Sequence, residues 1–341
     1  MTGLGRDPYV GDIRLGVLAV GGFFVISGYL ITKSRLQSTF LSYAWRRTLR
    51  ILPGYWVCLI FTGLVAAAIA GAVRGGWTPT LGIQYFVSNF DFWHGDGVVG
   101  TTLSGAPYPG AWNGSLWTLR YELACYLLVG LIAFFTFVRA SRWPWIVIFV
   151  GSTVLSLVVH ARGMTGMLEQ FSLLLPFFAA GALLYKLSPI APSNWKLGLS
   201  SVTAVPLICL LGYGQTLSAL PLAYALIWLG SIAPSALKRL GSKNDYSYGM
   251  YLYGMPVQQL LVLLDVQRFG APIFAVLSVA ATAPLAVASW WLVESQAMKL
   301  KGVFRNKQSR NKSLSVVESA EATINGNSPA DDSQEPDESQ K

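Results

Sequence analysis

The chain has 341 residues, of which 53% are hydrophobic and only 12% are charged, whereas a soluble domain carries about 25% charged residues. This deficit predicts an integral membrane protein surrounded by lipids. The net charge of +9 does not indicate nucleic-acid binding, because no clustered basic face lies on a soluble core. Cys58, Cys125 and Cys209 lie far apart in apolar runs, so we expect free buried thiols and no metal site.

Nine stretches are apolar and long enough to cross a bilayer, for which roughly 17 to 25 residues are needed. In chain order they are 13–32, 54–73, 115–137, 143–161, 169–186, 197–213, 217–233, 246–264 and 271–293. The sequence therefore predicts an all-α, polytopic transmembrane helix bundle over residues 13–300, after a short external segment at 1–12. Residues 301–341 are basic and then acidic, and they are predicted to form a disordered cytoplasmic tail.

Lysine and arginine are distributed unequally between the two sets of loops that these spans define. Most of the 25 fall on one side, for example at Lys33, Arg139 and Lys196, and in the segment after the last span. Because cytoplasmic loops carry an excess of lysine and arginine, this pattern predicts a cytoplasmic C-terminus and an external N-terminus.

The second predicted span is preceded by YAWRRTLRILPGYW, at 43–56, which carries Arg46, Arg47 and Arg50. In a helix these residues lie within about one turn of each other. Such a cluster of guanidinium groups is suited to binding phosphate. Charge alone favours the alternative, in which basic residues beside a span only fix its topology.

The third predicted span begins with charged residues at Arg120 and Glu122. The apolar run that follows is slightly short for a span, so we expect the helix to start earlier and to carry both charges to membrane depth. Glu122 would then be the only carboxylate well inside a span, sharing one helix face with Thr118 and Tyr126. Charges at this depth usually serve a site or pair with each other.

The alternative is that Arg120 and Glu122 lie at the level of the lipid headgroups, with Trp112 and Trp117 as interfacial anchors.

Histidine is scarce in this sequence. His94 lies near Asp91 and Asp96, where it could act as a base or a weak metal ligand, but we favour an ordinary loop residue. His160 ends an apolar stretch and is expected at the membrane interface.

Five motifs occur together and in order along the chain. They are FFVISGYLI at 23–31, RRTLRILPGYW at 46–56, WTLRYELACYL at 117–127, SYGMYLYGMPVQQ at 247–259 and SWWLVE at 289–294. Together they cover most of residues 15–300, and in this the chain resembles the acyltransferase-3 family of integral membrane acyltransferases. The resemblance implies transfer of an acyl group, often acetyl, from cytoplasmic acyl-CoA to a hydroxyl of a glycan or lipid-linked saccharide in the bacterial cell envelope. It also implies residence in the bacterial inner membrane.

The resemblance also implies roles for particular residues. The three arginines Arg46, Arg47 and Arg50 would bind the phosphates of acyl-CoA, the expected co-substrate. Glu122 would lie close to the reaction centre, with Arg120 beside it. Ser27, Gly28 and Trp117 belong to structural motifs, and a small residue such as Gly28 lets two helices pack closely. No metal is expected.

The sequence departs from the family pattern at its start. The family's first helix carries an arginine and, about ten residues later, a histidine thought to act as general base, and no histidine is present ahead of residue 15. We therefore expect a chain that lacks this helix. Two other interpretations stay open: an inactive or truncated member of the family, and a transporter or flippase for a polysaccharide precursor.

Overall fold

The structure is a computed structural model that describes residues 8–93, 95, 97–188, 194–235 and 244–304. Most of the predicted external segment 1–12 and of the predicted tail 301–341 lies outside these residues, as do His94 and Asp96.

The described chain begins with a two-stranded antiparallel hairpin, in which Tyr9–Val10 pairs with Ile13–Arg14, and is otherwise built from helices and their connections. The helices named here are α1 (Leu15–Leu36), α2 (Phe40–Arg74), α3 (Pro79–Asn89), α4 (Trp117–Ile132), α5 (Thr136–Ala140), α6 (Trp143–Ala161), α7 (Met167–Leu187), α8 (Trp195–Leu210), α9 (Ala219–Ile232), α10 (Tyr246–Leu263) and α11 (Ala271–Gly302). Helix α2 contains a π-helical turn at Phe61–Ala66, and α11 contains another at Trp290–Glu294. Shorter helical turns lie at Gly114–Leu116, Gly214–Leu217 and Val266–Phe269.

Each of the nine predicted spans coincides with one of these helices, so the all-α prediction is confirmed. Within the described residues, six helices are long and apolar enough to cross a membrane: α1, α2, α4 with its leading turn, α6, α7 and α11. Helices α8 and α9 are apolar but shorter, and α10 is not among the six. The count of nine spans therefore stays a prediction.

Helix α2 begins much earlier than the hydropathy of the sequence predicts. Thr39 caps its first turn, with Oγ1 accepting a hydrogen bond from the Ser42 amide at 3.4 Å, as threonine does at helix N-termini. The helix continues through Pro53 and ends at Gly75, whose φ of 78° is favourable only for glycine. The basic segment is therefore the first part of the same long helix.

Helices α1 and α7 make the closest contact in the bundle, and α7 is largely buried. A Cβ atom on Gly28 would lie 2.0 Å from the Phe178 carbonyl oxygen, and one on Gly181 would lie 2.0 Å from the Val25 carbonyl oxygen. The two backbones touch because neither glycine has a side chain. The close approach expected at Gly28 is present at this crossing.

The loop before α4 is fixed onto α10. Its Trp112 is fully buried and donates from Nε1 to Thr102 Oγ1 at 2.9 Å. Asn113 Nδ2 donates to the Leu252 carbonyl oxygen at 2.8 Å, and Gln259 Nε2 donates to the Ala111 carbonyl oxygen at 2.8 Å. These bonds determine where α4 starts and hence where Glu122 lies.

Candidate active site

A cavity of about 690 Å³ lies between α1, α2, α4, α9 and α10. Side chains of α1 and α9 give it an apolar wall, among them Phe23, Ile26 and Leu226. Its polar lining residues are Ser27, Arg47, Arg50, Glu122, Tyr126, Asp245, Ser247 and Tyr248. The folded chain thus brings together polar residues that lie far apart in the sequence.

Glu122 is the buried carboxylate of this cavity, with only 3% of its surface exposed. Its Oε1 accepts hydrogen bonds from Ser27 Oγ at 3.1 Å and from the Tyr126 hydroxyl. The hydroxyls of Ser27 and Tyr126 are 3.3 Å apart. No side chain of the described residues donates to Oε2, so this oxygen is available to a group that enters the cavity.

The polar face predicted for α4 is present and points into the bundle. Thr118, Glu122 and Tyr126 are all buried, and their depth in the membrane stays a prediction. The Thr118 hydroxyl is hydrogen-bonded to that of Tyr251 on α10, which also donates to the Ser115 carbonyl oxygen. These contacts fix the first turn of α4 against α10.

Arg47 and Arg50 of α2 both line the cavity, but they differ in their partners. Arg47 Nε is buried and has no hydrogen-bond partner among the described residues. Arg50 forms an ion pair with Asp245, immediately before α10, and the Ser247 hydroxyl donates to the other oxygen of Asp245 at 2.6 Å. One guanidinium group is therefore unpaired, whereas the other already has an anionic partner.

Four predicted site residues do not line this cavity, and one of them, Gly28, lies at the crossing of α1 and α7. Arg46 donates from Nε to the Ser42 carbonyl oxygen and from Nη2 to Ser42 Oγ, both at 3.0 Å, so it is bound to its own helix. The Arg120 guanidinium lies 5.8 Å from the centre of the Tyr121 ring. The Trp117 ring packs edge to face against the same tyrosine, with the ring centres 5.7 Å apart.

Glu294 is a buried carboxylate that the sequence analysis missed. It lies in the π-helical turn of α11 and is 3% exposed, so Glu122 is not the only carboxylate inside the bundle. Its Oε1 accepts a hydrogen bond from Ser289 Oγ at 2.8 Å. The motif SWWLVE marked the position, but Glu294 falls one residue beyond the predicted end of the last span. Its burial is set by packing that hydropathy does not record.

Among the described residues that line the central cavity there is no histidine. His160, at the end of α6, instead borders a separate cavity of about 200 Å³ with Glu169 and Gln215.

The arrangement offers two kinds of chemistry in one cavity. The guanidinium groups of Arg47 and Arg50 can bind phosphate oxygens through several N–H donors each. Glu122 has a free carboxylate oxygen that can accept a hydrogen bond from a hydroxyl or from a protonated base. A charged ligand part and a hydroxyl-bearing part can therefore meet in this cavity.

These features define a multi-pass helical membrane protein in which polar residues gather at a cavity between the helices. A family model described as an acyltransferase domain matches residues 3–291, which is most of the chain. The chain therefore belongs to the acyltransferase-3 family. It is accordingly an O-acyltransferase, an enzyme that transfers acyl groups other than aminoacyl groups.

Two relatives illustrate the similarity. The chain is 27% identical over 303 residues to an O-acetyl transferase of Shigella phage Sf6, an alignment that covers 85% of this chain and 87% of the relative. It is 26% identical over 341 aligned positions to nodulation protein 10 of Rhizobium leguminosarum bv. viciae, covering 87% of this chain and 86% of that protein. No solved structure matches the chain significantly.

Proposed function

We propose that this protein transfers an acyl group, most simply acetyl, from acyl-CoA to a hydroxyl of a glycan or lipid-linked saccharide. The observation that carries the proposal is the convergence of Arg47, Arg50 and Glu122 on one cavity. The name of the phage relative, an O-acetyl transferase, supports acetyl as the group and a hydroxyl as its acceptor.

The arginines form the donor side of the reaction in this proposal. Arg47 binds a phosphate of CoA through its unpaired Nε, and Arg50 binds a second phosphate group when it leaves Asp245. Arg46 supports the charge of the cluster from outside the cavity. The thioester then extends from this end of the cavity towards Glu122.

Glu122 forms the acceptor side. Its Oε2 accepts a hydrogen bond from the incoming hydroxyl and orients the oxygen towards the thioester carbon, while Ser27 and Tyr126 hold Oε1 in place. The hydroxyl oxygen forms a bond to the acyl carbon, the carbon–sulfur bond breaks, and CoA leaves as the thiol once it has taken up the proton. The resemblance assigns removal of the hydroxyl proton to a histidine on a helix ahead of α1, and this assignment stays a prediction.

The proposal also includes an orientation. The Arg47 and Arg50 end of the cavity faces the cytoplasm, where acyl-CoA is made, and the chain lies in the bacterial inner membrane with a cytoplasmic C-terminus. The excess of lysine and arginine in one set of loops supports this orientation. A fluorescent protein fused to the C-terminus should fluoresce, whereas alkaline phosphatase fused there should be inactive, and the opposite pair of results would reverse the orientation.

The reaction is tested with radiolabelled acetyl-CoA and a glycan acceptor, using the chain purified into liposomes. Glu122→Gln should lower transfer at least about 100-fold, as expected when a group at the reacting centre is lost. The matched control is Glu169→Gln, because Glu169 is exposed and lies outside the cavity. Full transfer by Glu122→Gln would remove Glu122 from the mechanism. Full transfer by this chain with no added segment would show that a further helix is dispensable.

Donor binding is tested separately with CoA and the purified chain. Arg47→Ala should weaken CoA binding by at least about tenfold, because a hydrogen bond to a charged group contributes about 1.5 to 3 kcal/mol. Arg46→Ala removes the same charge from the same helix but from outside the cavity, and it should have a smaller effect. Equal effects of the two substitutions would point to general charge rather than a phosphate site.

A further inference from the structure

The carboxyl group of Glu294 is buried, and only one of its two oxygens is hydrogen-bonded within the described residues. One of its oxygens accepts the hydrogen bond from Ser289, but Oε2 is buried and has no partner among the described residues. Leaving a buried polar atom without a partner costs free energy that an apolar residue of similar size would not cost. This cost must be offset by the packing of the side chain against the neighbouring helices.

The π-helical turn of α11 directs this carboxyl group inwards. Trp291 and Leu292 in the same turn are exposed, by 53% and 75%, whereas Glu294 is 3% exposed. A π-helical turn contains an extra residue, which changes the direction of the side chains that follow, and such turns are frequent at functional sites. Glu294 consequently points at α2 and not outwards.

The carboxyl group contacts α2 at a glycine. A Cβ atom on Gly54 would lie 2.7 Å from Glu294 Oε1 and 3.0 Å from Cε1 of Tyr248. The absence of a side chain at position 54 is therefore what allows Glu294 and Tyr248 to meet α2 here.

This contact lies one helical turn from the donor site. Gly54 follows Arg50 by four residues, so the two share a face of α2. Tyr248 of α10 contacts α2 here as well: it lines the cavity, and its hydroxyl donates to the carbonyl oxygen of Ile51 at 2.8 Å. The depth at which α2 packs against α10 and α11 at Gly54 therefore sets where the arginine side chains enter the cavity.

We propose that Glu294 is a positioning residue of the donor site, whose carboxyl group, packed against Gly54, holds the face of α2 that carries Arg47 and Arg50. The inference rests on the proposed function, because it concerns the arginines assigned there to CoA. Glu294 is not among the described residues that line the cavity.

The test measures CoA binding by the purified full-length chain and by variants at the two contacting positions. Glu294→Ala and Gly54→Ala should each weaken CoA binding by about three- to tenfold, the size of effect usual for coupled neighbouring residues. Glu294→Gln keeps the shape of the side chain and should bind nearly as the unchanged protein. The combination of Gly54→Ala with Glu294→Ala should be weaker than Glu294→Ala alone by less than the effect of Gly54→Ala in the unchanged protein, because the shortened side chain removes the 2.7 Å contact and leaves only the one with Tyr248 at 3.0 Å.

Two matched controls accompany these variants. Gly254→Ala places a methyl group on α10 where nothing lies within 4 Å, and Glu169→Ala removes an exposed carboxylate. Both should bind CoA as the unchanged protein does. Elution in size-exclusion chromatography checks that each variant is folded, and Glu294→Asp, which withdraws the carboxyl group by one methylene, replaces Glu294→Ala if that variant aggregates.

Binding by Glu294→Ala and Gly54→Ala at the unchanged affinity would overturn the proposal, provided that Arg47→Ala weakens binding. A Glu294→Gln variant as weak as Glu294→Ala would also overturn it, since charge rather than shape would then act. If the unchanged protein does not bind CoA, or binds it as Arg47→Ala does, the donor site itself is wrong and this proposal fails with it.

Discussion

Replacing Gly28 with alanine is the sharpest test of the bundle that holds the site. The new Cβ atom would lie 2.0 Å from the Phe178 carbonyl oxygen, whereas ordinary contact begins near 3.4 Å. Helices α1 and α7 would have to separate by about 1.4 Å, the difference between these two distances. Overpacking costs typically 1 to 3 kcal/mol, and a backbone oxygen cannot rotate away. Because alanine itself favours a helix over glycine by about 1 kcal/mol, we expect a net loss of roughly 1 kcal/mol.

The same displacement would reach the site, because Ser27 is the neighbour of Gly28. Its 3.1 Å bond to Glu122 would break if α1 moved away by that amount, so acyl transfer should fall together with stability. Unfolding of the purified protein in detergent, followed by tryptophan fluorescence, measures the first effect, and the acetyl-CoA assay measures the second. Gly151→Ala on α6 is the control, since nothing lies within 4 Å of that position. Equal stability of the two variants would refute the tight crossing of α1 and α7.

Two further predictions concern the donor site and the outer loop. Asp245→Asn should tighten CoA binding by about two- to fivefold, because Arg50 would no longer be held by a competing carboxylate and a partly exposed ion pair contributes only about 0.2 to 1 kcal/mol. The control is Asp265→Asn, at the other end of α10. Weaker CoA binding by Asp245→Asn would show that the ion pair only orients Arg50. Trp112→Phe should lower the free energy of unfolding by about 1 kcal/mol, measured as above, because it removes the bond from Nε1 to Thr102. An unchanged unfolding transition would mean that this bond does not fix the loop.

The sequence predicted the helices well and their ends less well. Apolar length locates a span, but it does not show how far a helix extends into polar sequence. The predicted span 54–73 is thus only the second half of α2, which starts at Phe40 behind the Thr39 cap. Helix α8 shows the opposite error: its predicted stretch ran to 213, whereas the helix ends at Leu210 and Gly212 adopts a φ of 82°.

The site was only partly predictable, since it depends on contacts between distant segments. Helical spacing alone placed Thr118, Glu122 and Tyr126 on one face, as the structure has them. Ser27 was expected to serve helix packing beside Gly28, but its hydroxyl instead binds Glu122, which is 95 residues away. No spacing within one helix could have indicated that contact.

The three arginines show how much more local geometry can be extracted from such a sequence. Charge treats them alike, but successive residues of a helix point about 100° apart. Residues 47, 50 and 54 follow each other at intervals of three and four and lie within about 60° of one another around the helix, whereas 46 lies beyond the edge of this sector, about 100° from 47. The structure has this arrangement: Arg47 and Arg50 enter the cavity, Gly54 receives Glu294, and Arg46 turns back to Ser42. A glycine that follows a pair of arginines on the same face of a helix therefore indicates a close contact with another helix, and this contact would hold the arginines in place.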